Sequence, residues 1–124
     1  PMLHDVAKVK ELSQFPTNEY TDAGQLLGHI VMGAEMVHEA AMKIPGFPKT
    51  LENLIKHSIL SHHGEYEYGS PELPKTIEAF ILHCADNMDA KTKAMEEAIA
   101  GKTNQGEWVG YQRIMQRNIR TSEY

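Results

Sequence analysis

Apolar residues recur at helical spacing through most of the chain. From Thr21 to about Lys43, residues Leu26, Leu27, Ile30, Val31, Ala34, Val37 and Ala41 fall three or four apart, which predicts a long helix. Thr21 or Asp22 supplies its cap and Ile44-Pro45-Gly46-Phe47-Pro48 its end. Residues 2 to 12 read as the end of a preceding helix, with Leu3, Val6, Ala7 and Leu12 as a partial stripe broken at Ser13 to Pro16. A third helix starts near Thr50, runs through Leu51, Leu54, Ile55, Ile59 and Leu60, and stops at Gly64, placing His62-His63 at its C-terminal end. After a loop with Gly69, Pro71 and Pro74, Thr76 caps a fourth helix with Ile77, Phe80, Ile81, Cys84 and Met88. Its first half is apolar nearly all round, which predicts a central position and a buried Asp86. Residues 101 to 106 form a polar connection. The tail from Trp108 to Tyr124 reads as helix or partly extended chain. No strict alternation persists, so the expected fold class is all-α, a bundle of about five helices.

The totals narrow the class. A chain of 124 residues fits one domain, residues 1–124. With 41% hydrophobic and 23% charged residues it has an ordinary globular composition. No apolar run approaches the roughly 20 residues that span a bilayer. Pro1-Met2-Leu3-His4-Asp5 has no signal-peptide pattern, so a cytoplasmic location is the default expectation. Cys84 is the single cysteine, which excludes an internal disulfide and a cysteine-based zinc knuckle and leaves a buried small hydrophobe as the expectation. A formal charge of −5 argues against a broad nucleic-acid-binding surface. Two bound divalent cations would reverse the charge locally.

The chemistry is concentrated in His4-Asp5, His29, His62-His63 and Asp86. Imidazole and carboxylate ligands on separate helices are how a helical bundle builds a divalent-metal site. Asp86 on an apolar helix needs a metal or a partner, because an unpaired buried carboxylate is strongly unfavourable. Each residue also has a plain reading. His4-Asp5 can be a surface pair, His29 a core histidine, and His62-His63 caps for the last carbonyls of a helix. Lys8 can be a solvated cation. His38, His57 and His83 read as structural or surface residues, with His83 also placed to support Asp86.

His4-Asp5 followed by Lys8, as His-Asp-x-x-Lys, with a distant Asp86, resembles the HD-domain phosphohydrolases. His29 and His62-His63 are similar to the extra ligands of the two-metal subset. Three longer stretches resemble the C-terminal domain of the YhaM-like (CMP-binding-factor type) 3′ to 5′ exoribonucleases. They are Thr21-Asp22-x-Gly24-x-Leu26-Leu27-Gly28-His29-Ile30, then Leu60-Ser61-His62-His63-Gly64-Glu65-x-Glu67-Tyr68-Gly69-Ser70-Pro71, then Leu82-His83-x-Ala85-Asp86-Asn87-x-Asp89-Ala90-Lys91.

The resemblance implies His4, Asp5, His29, His62, His63 and Asp86 as metal ligands, with Asp5, Lys8, His62 and His63 acting in catalysis and Lys8 on the substrate phosphate. It implies manganese, while the ligand types also suit iron, cobalt, zinc or magnesium. The implied substrate is the 3′ end of RNA or single-stranded DNA, or a nucleotide phosphoester, with no membrane partner and room for a homo-oligomer. Paired metals supply both the oxygen nucleophile and the positive charge that phosphodiester hydrolysis needs. The family has a further ligand histidine upstream of the doublet and an N-terminal OB-type domain, neither within this sequence. The metal held by His4, Asp5 and Asp86 is therefore expected to be one ligand short. A non-catalytic binding or assembly module and a nucleotidase on free nucleotides stand as alternatives.

Overall fold

The computed structural model describes residues 2–103 and 105–121. Among the described residues there are four α-helices: α1 (Lys8–Glu11), α2 (Asp22–Met42), α3 (Lys49–Leu60) and α4 (Ile77–Ala100). A short 3-10 turn lies at Tyr66–Tyr68, and β1 (Trp108–Gln112) and β2 (Arg117–Arg120) follow α4. The chain divides into two compact units, Pro1–Cys84 and Ala85–Tyr124.

In the first unit α2 packs on α3 and on α1. Thr21 caps α2, its hydroxyl accepting from the Gly24 N–H at 3.0 Å, as expected of an N-terminal threonine. The inward face of α2 is Ile30, Met32, Ala34 and Ala41. Gly33 on the same face permits close approach, since a Cβ there would sit 3.2 Å from Ile59 Cγ2 of α3. Ala7, Ile59, Ala79 and Leu82 complete this core. The helical run is interrupted at Gly28, whose φ of 72° and ψ of 159° are non-helical. Leu26 and Leu27, before that break, are exposed rather than inward.

Three further expectations are corrected. Residues 2–7 form successive turns and only Lys8–Glu11 is regular helix, so His4-Asp5 sits on turns, with Val6 N–H bonding Leu3 O and Lys8 N–H bonding Asp5 O. Helix α3 ends at Leu60, and His62-His63 lie in the turn beyond it. Thr76 caps α4, accepting from the Ala79 N–H at 3.2 Å, but α4 is not central. It buries Ala79 and Leu82, whereas Ile77, Phe80, Ile81 and Met88 are exposed. Asp86 is accordingly half-buried and Cys84 exposed. Apolar character all round a helix identifies an inward face only where a neighbour covers it.

The second unit holds the rest of α4 and an antiparallel hairpin of β1 and β2, so the all-α expectation fails for the tail. The strands, of five and four residues, are too short for an alternation pattern, and a register irregularity between Trp108 and Gly110 breaks what alternation there is. Ile119 is buried, and the Asn118 side chain accepts from the Gly110 N–H at 2.8 Å. The tail reading extended to Tyr124; residues 122–124 lie outside the described residues. No helix among the described residues is long and apolar enough to cross a membrane.

Candidate metal centre

The two carboxylate oxygens of Asp5 face different histidines. Asp5 Oδ1 lies 3.3 Å from His29 Nε2 and 3.7 Å from His62 Nε2, and Oδ2 lies 3.4 Å from His4 Nε2. Lys8 donates to Oδ2 at 2.6 Å, with its side chain half exposed. Burial alone would raise the Asp5 pKa, but the hydrogen bond and charge of Lys8, with His4 and His29 nearby, hold it below the usual carboxylate value. Asp5 is thus an anion at neutral pH, the form a ligand needs.

Three imidazoles of the site are held in fixed orientation. His62 is 1% exposed, and its Nδ1 lies 2.7 Å from Ile59 O. His63 Nδ1 lies 2.8 Å from Tyr68 O. His29 Nδ1 lies 3.1 Å from a Glu11 carboxylate oxygen. Each partner is an acceptor, so in the neutral ring Nδ1 carries the proton and Nε2 offers a lone pair. Burial, with the charges of His63 and His4, lowers the pKa of His62 despite its bond to Ile59 and the nearby Asp5, which keeps the ring neutral. His62 therefore caps a carbonyl of α3 and still leaves Nε2 for another partner, so capping and ligation are not rivals here.

Two groups of donors could hold a metal ion: His29, His62 and His63, and His4, Asp5 and His62. Two buried atoms, Asp5 Oδ1 and His29 Nε2, have no hydrogen-bond partner among the described residues. They lie 3.3 Å apart, and two buried acceptors this close are unfavourable unless a cation lies near both. Separations of 3.3 to 3.7 Å suit two donors that each lie about 2.0–2.2 Å from a common ion. The residues present thus fit divalent metal. Asp86, in the second unit, belongs to neither group.

Around the centre, His83 Nδ1 lies 3.0 Å from His62 O, and its ring packs on Gly64, where a Cβ would meet it at 2.1 Å. Gly64 has a φ of +80°, so glycine is required by conformation and by space. His57 accepts from the Lys75 N–H at 2.9 Å, and His38 meets Glu52 at 2.8 Å, both outside the centre. An open pocket of about 260 Å³ adjoins His29 and His63, walled by Leu27, Val31, Tyr68 and Pro71. Sequence reading missed Glu11, which is 7% exposed. Its one signal is a charged residue in the partial apolar stripe of residues 2 to 12.

Fold and site together define a mostly helical protein with a histidine and aspartate centre suited to divalent metal. The HD domain family model matches residues 1–91, and the chain belongs to that family. It is similar to the 3'-5' exoribonuclease YhaM of Bacillus pumilus (strain SAFR-032), with 43% identity over 98 residues. Identity to the YhaM of Bacillus velezensis is 45%, and to that of Bacillus subtilis (strain 168) 44%, over the same length. These matches cover 79% of this chain and 31% of each relative, so the chain spans about a third of the proteins it matches. No solved structure matches it.

Proposed function

We propose that this chain is a metal-dependent phosphodiesterase domain acting at the 3′ end of RNA or single-stranded DNA, in the cytoplasm, with manganese as its metal. The observation that carries the metal reading is the pair of buried atoms, Asp5 Oδ1 and His29 Nε2, 3.3 Å apart and without a hydrogen-bond partner among the described residues. Kinship with 3'-5' exoribonucleases supports the choice of substrate.

His29, His62 and His63 would hold one ion, and His4 and Asp5, with His62 between the groups, the other. The assignment of Asp86 as a further ligand rests on the family resemblance. When bound, divalent ions supply positive charge for the phosphoryl oxygens and make water acidic enough to react at neutral pH. The protein's own residues do the rest. Lys8 keeps Asp5 ionised and offers its half-exposed ammonium to a phosphate oxygen. The Nδ1 bonds of His29, His62 and His63 hold the imidazoles in place before any ligand arrives, so no ordering is needed on binding. Leu27, Val31, Tyr68 and Pro71 form an apolar recess beside His29 and His63 for the terminal nucleoside, with Tyr68 offering a ring to its base.

The test is digestion of a 5′-labelled oligoribonucleotide with manganese added and then with chelator. Stepwise shortening from the 3′ end that stops on chelation is expected. Cleavage of mononucleotides alone would replace the exonuclease reading with a nucleotidase. No turnover by a fully metal-loaded chain would leave a binding module.

A further inference from the structure

Glu11 is buried at the end of α1, eighteen residues from His29 in sequence, and a single one of its oxygens meets His29 twice. Oε1 accepts from the His29 backbone N–H at 3.0 Å and lies 3.1 Å from the ring Nδ1. The backbone donor is available because of Gly28. Its φ of 72° and ψ of 159° break the helical run, so His29 opens a new helical segment whose first N–H groups have no carbonyl one turn back. An anionic oxygen at that position also suits the helix N-terminus.

The remainder of Glu11 is clamped. Thr21 donates to the Glu11 carbonyl through its N–H at 2.9 Å and its hydroxyl at 3.1 Å, the hydroxyl also reaching Lys10 O at 3.0 Å. Gly24 of α2 passes so close that a Cβ there would lie 2.3 Å from Glu11 O and 3.0 Å from Glu11 Cγ. The carboxylate is therefore held at a fixed place by two elements.

Building on the metal reading above, we infer that Glu11 is the positioning residue for His29: its one oxygen fixes both the backbone and the ring, so that His29 Nε2 is presented unprotonated to a metal ion. An ionised carboxylate can only accept, so the ring proton must sit on Nδ1. Nε2 then lies 3.3 Å from Asp5 Oδ1, and neither atom has a hydrogen-bond partner among the described residues. A carboxylate behind a ligand imidazole also makes it a better donor, and losing such a partner typically lowers metal affinity by about 10- to 100-fold. A helix cap alone would need only the backbone bond; the ring bond is what a ligand-positioning role adds.

The experiment compares wild type, Glu11→Ala and Glu11→Gln by manganese titration and by long-range 15N NMR of the metal-free, labelled chain. In wild type the His29 ring is protonated at Nδ1. In Glu11→Ala the His29 signals move toward a mixture of tautomers, and one of the manganese ions binds about 10- to 100-fold more weakly. Glu11→Gln retains an uncharged acceptor, preserves the tautomer and loses less affinity. A Glu11→Ala chain that melts lower yet retains the Nδ1 tautomer and wild-type affinity would overturn the inference in favour of a plain cap. If Glu11→Ala does not fold, Glu11→Gln decides, and undiminished affinity there overturns it. Two controls separate this from the metal reading: a wild-type chain that binds no manganese defeats the metal reading itself, and undiminished binding by His29→Ala removes His29 from the ligand set, whatever Glu11 does.

Discussion

Asp5 Oδ1 and His29 Nε2 stand 3.3 Å apart, both buried and both without a hydrogen-bond partner among the described residues. Asp5 belongs to one donor group and its Oδ1 also lies 3.3 Å from His29 Nε2 of the other, so its loss removes the carboxylate both groups lie against and should empty the centre. Asp5→Ala is expected to carry no transition metal after gel filtration in manganese and to show no phosphodiesterase activity. Elemental analysis of the folded variant checks this, and full occupancy would remove Asp5 from the ligand set.

His62 belongs to both donor groups and His63 to one. His63→Ala should therefore retain about one of two ions per chain, whereas His62→Ala should lose both. Equal metal counts in the two variants would contradict the shared position of His62.

Gly64 combines a φ of +80° with a His83 ring 2.1 Å from where a Cβ would stand. Gly64→Ala should destabilise the fold by about 1–3 kcal/mol from backbone strain, with a similar contribution from overlap. Urea unfolding measures it. Adding His83→Ala should relieve the overlap and leave the strain, so a double variant no better than Gly64→Ala would show that the ring yields without penalty.

Glu52, only 4% exposed, bonds Lys49 at 3.0 Å through both oxygens and His38 at 2.8 Å. The Lys49 and His38 hydrogen bonds outweigh burial and hold its pKa below the ordinary 4.5. A carboxylate with a lowered folded pKa binds fewer protons folded than unfolded. Its stabilisation is complete above about pH 4.5 and is lost as pH falls through the lower, folded value. Glu52→Gln should flatten the dependence of melting temperature on pH below about 4.5. A slope in that range as steep as wild type would exclude Glu52 as a source of acid sensitivity.

The local readings that survived are those set by short-range chemistry. Thr21 and Thr76 were legible as caps because their hydroxyls bond N–H groups three residues on. Gly64 was read as the stop of α3, but Ser61 closes that helix and the left-handed Gly64 ends the turn that follows. The structure brings His4-Asp5, His29 and His62-His63 into two neighbouring donor groups, as residue type alone had suggested. The hairpin was not legible, since nine strand residues around an irregular register carry too little pattern. The exposure of Cys84 and of the apolar α4 residues was not, because burial depends on which elements come to lie beside them.

By itself the sequence determined the three long helices and the threonine caps of α2 and α4, and it named residue types of the kind that bind metal, since each depends on side chains within about one helical turn. Tertiary structure decided where those residues point. Gly28 turned His29 out of a continuous helix, and Glu11, eighteen residues away, became its partner only when α1 and α2 packed. His62 became the member shared by the two donor groups for the same reason: orienting a lone pair takes a hydrogen bond to the ring's other nitrogen and neighbours from elsewhere in the chain, and local periodicity carries no record of it.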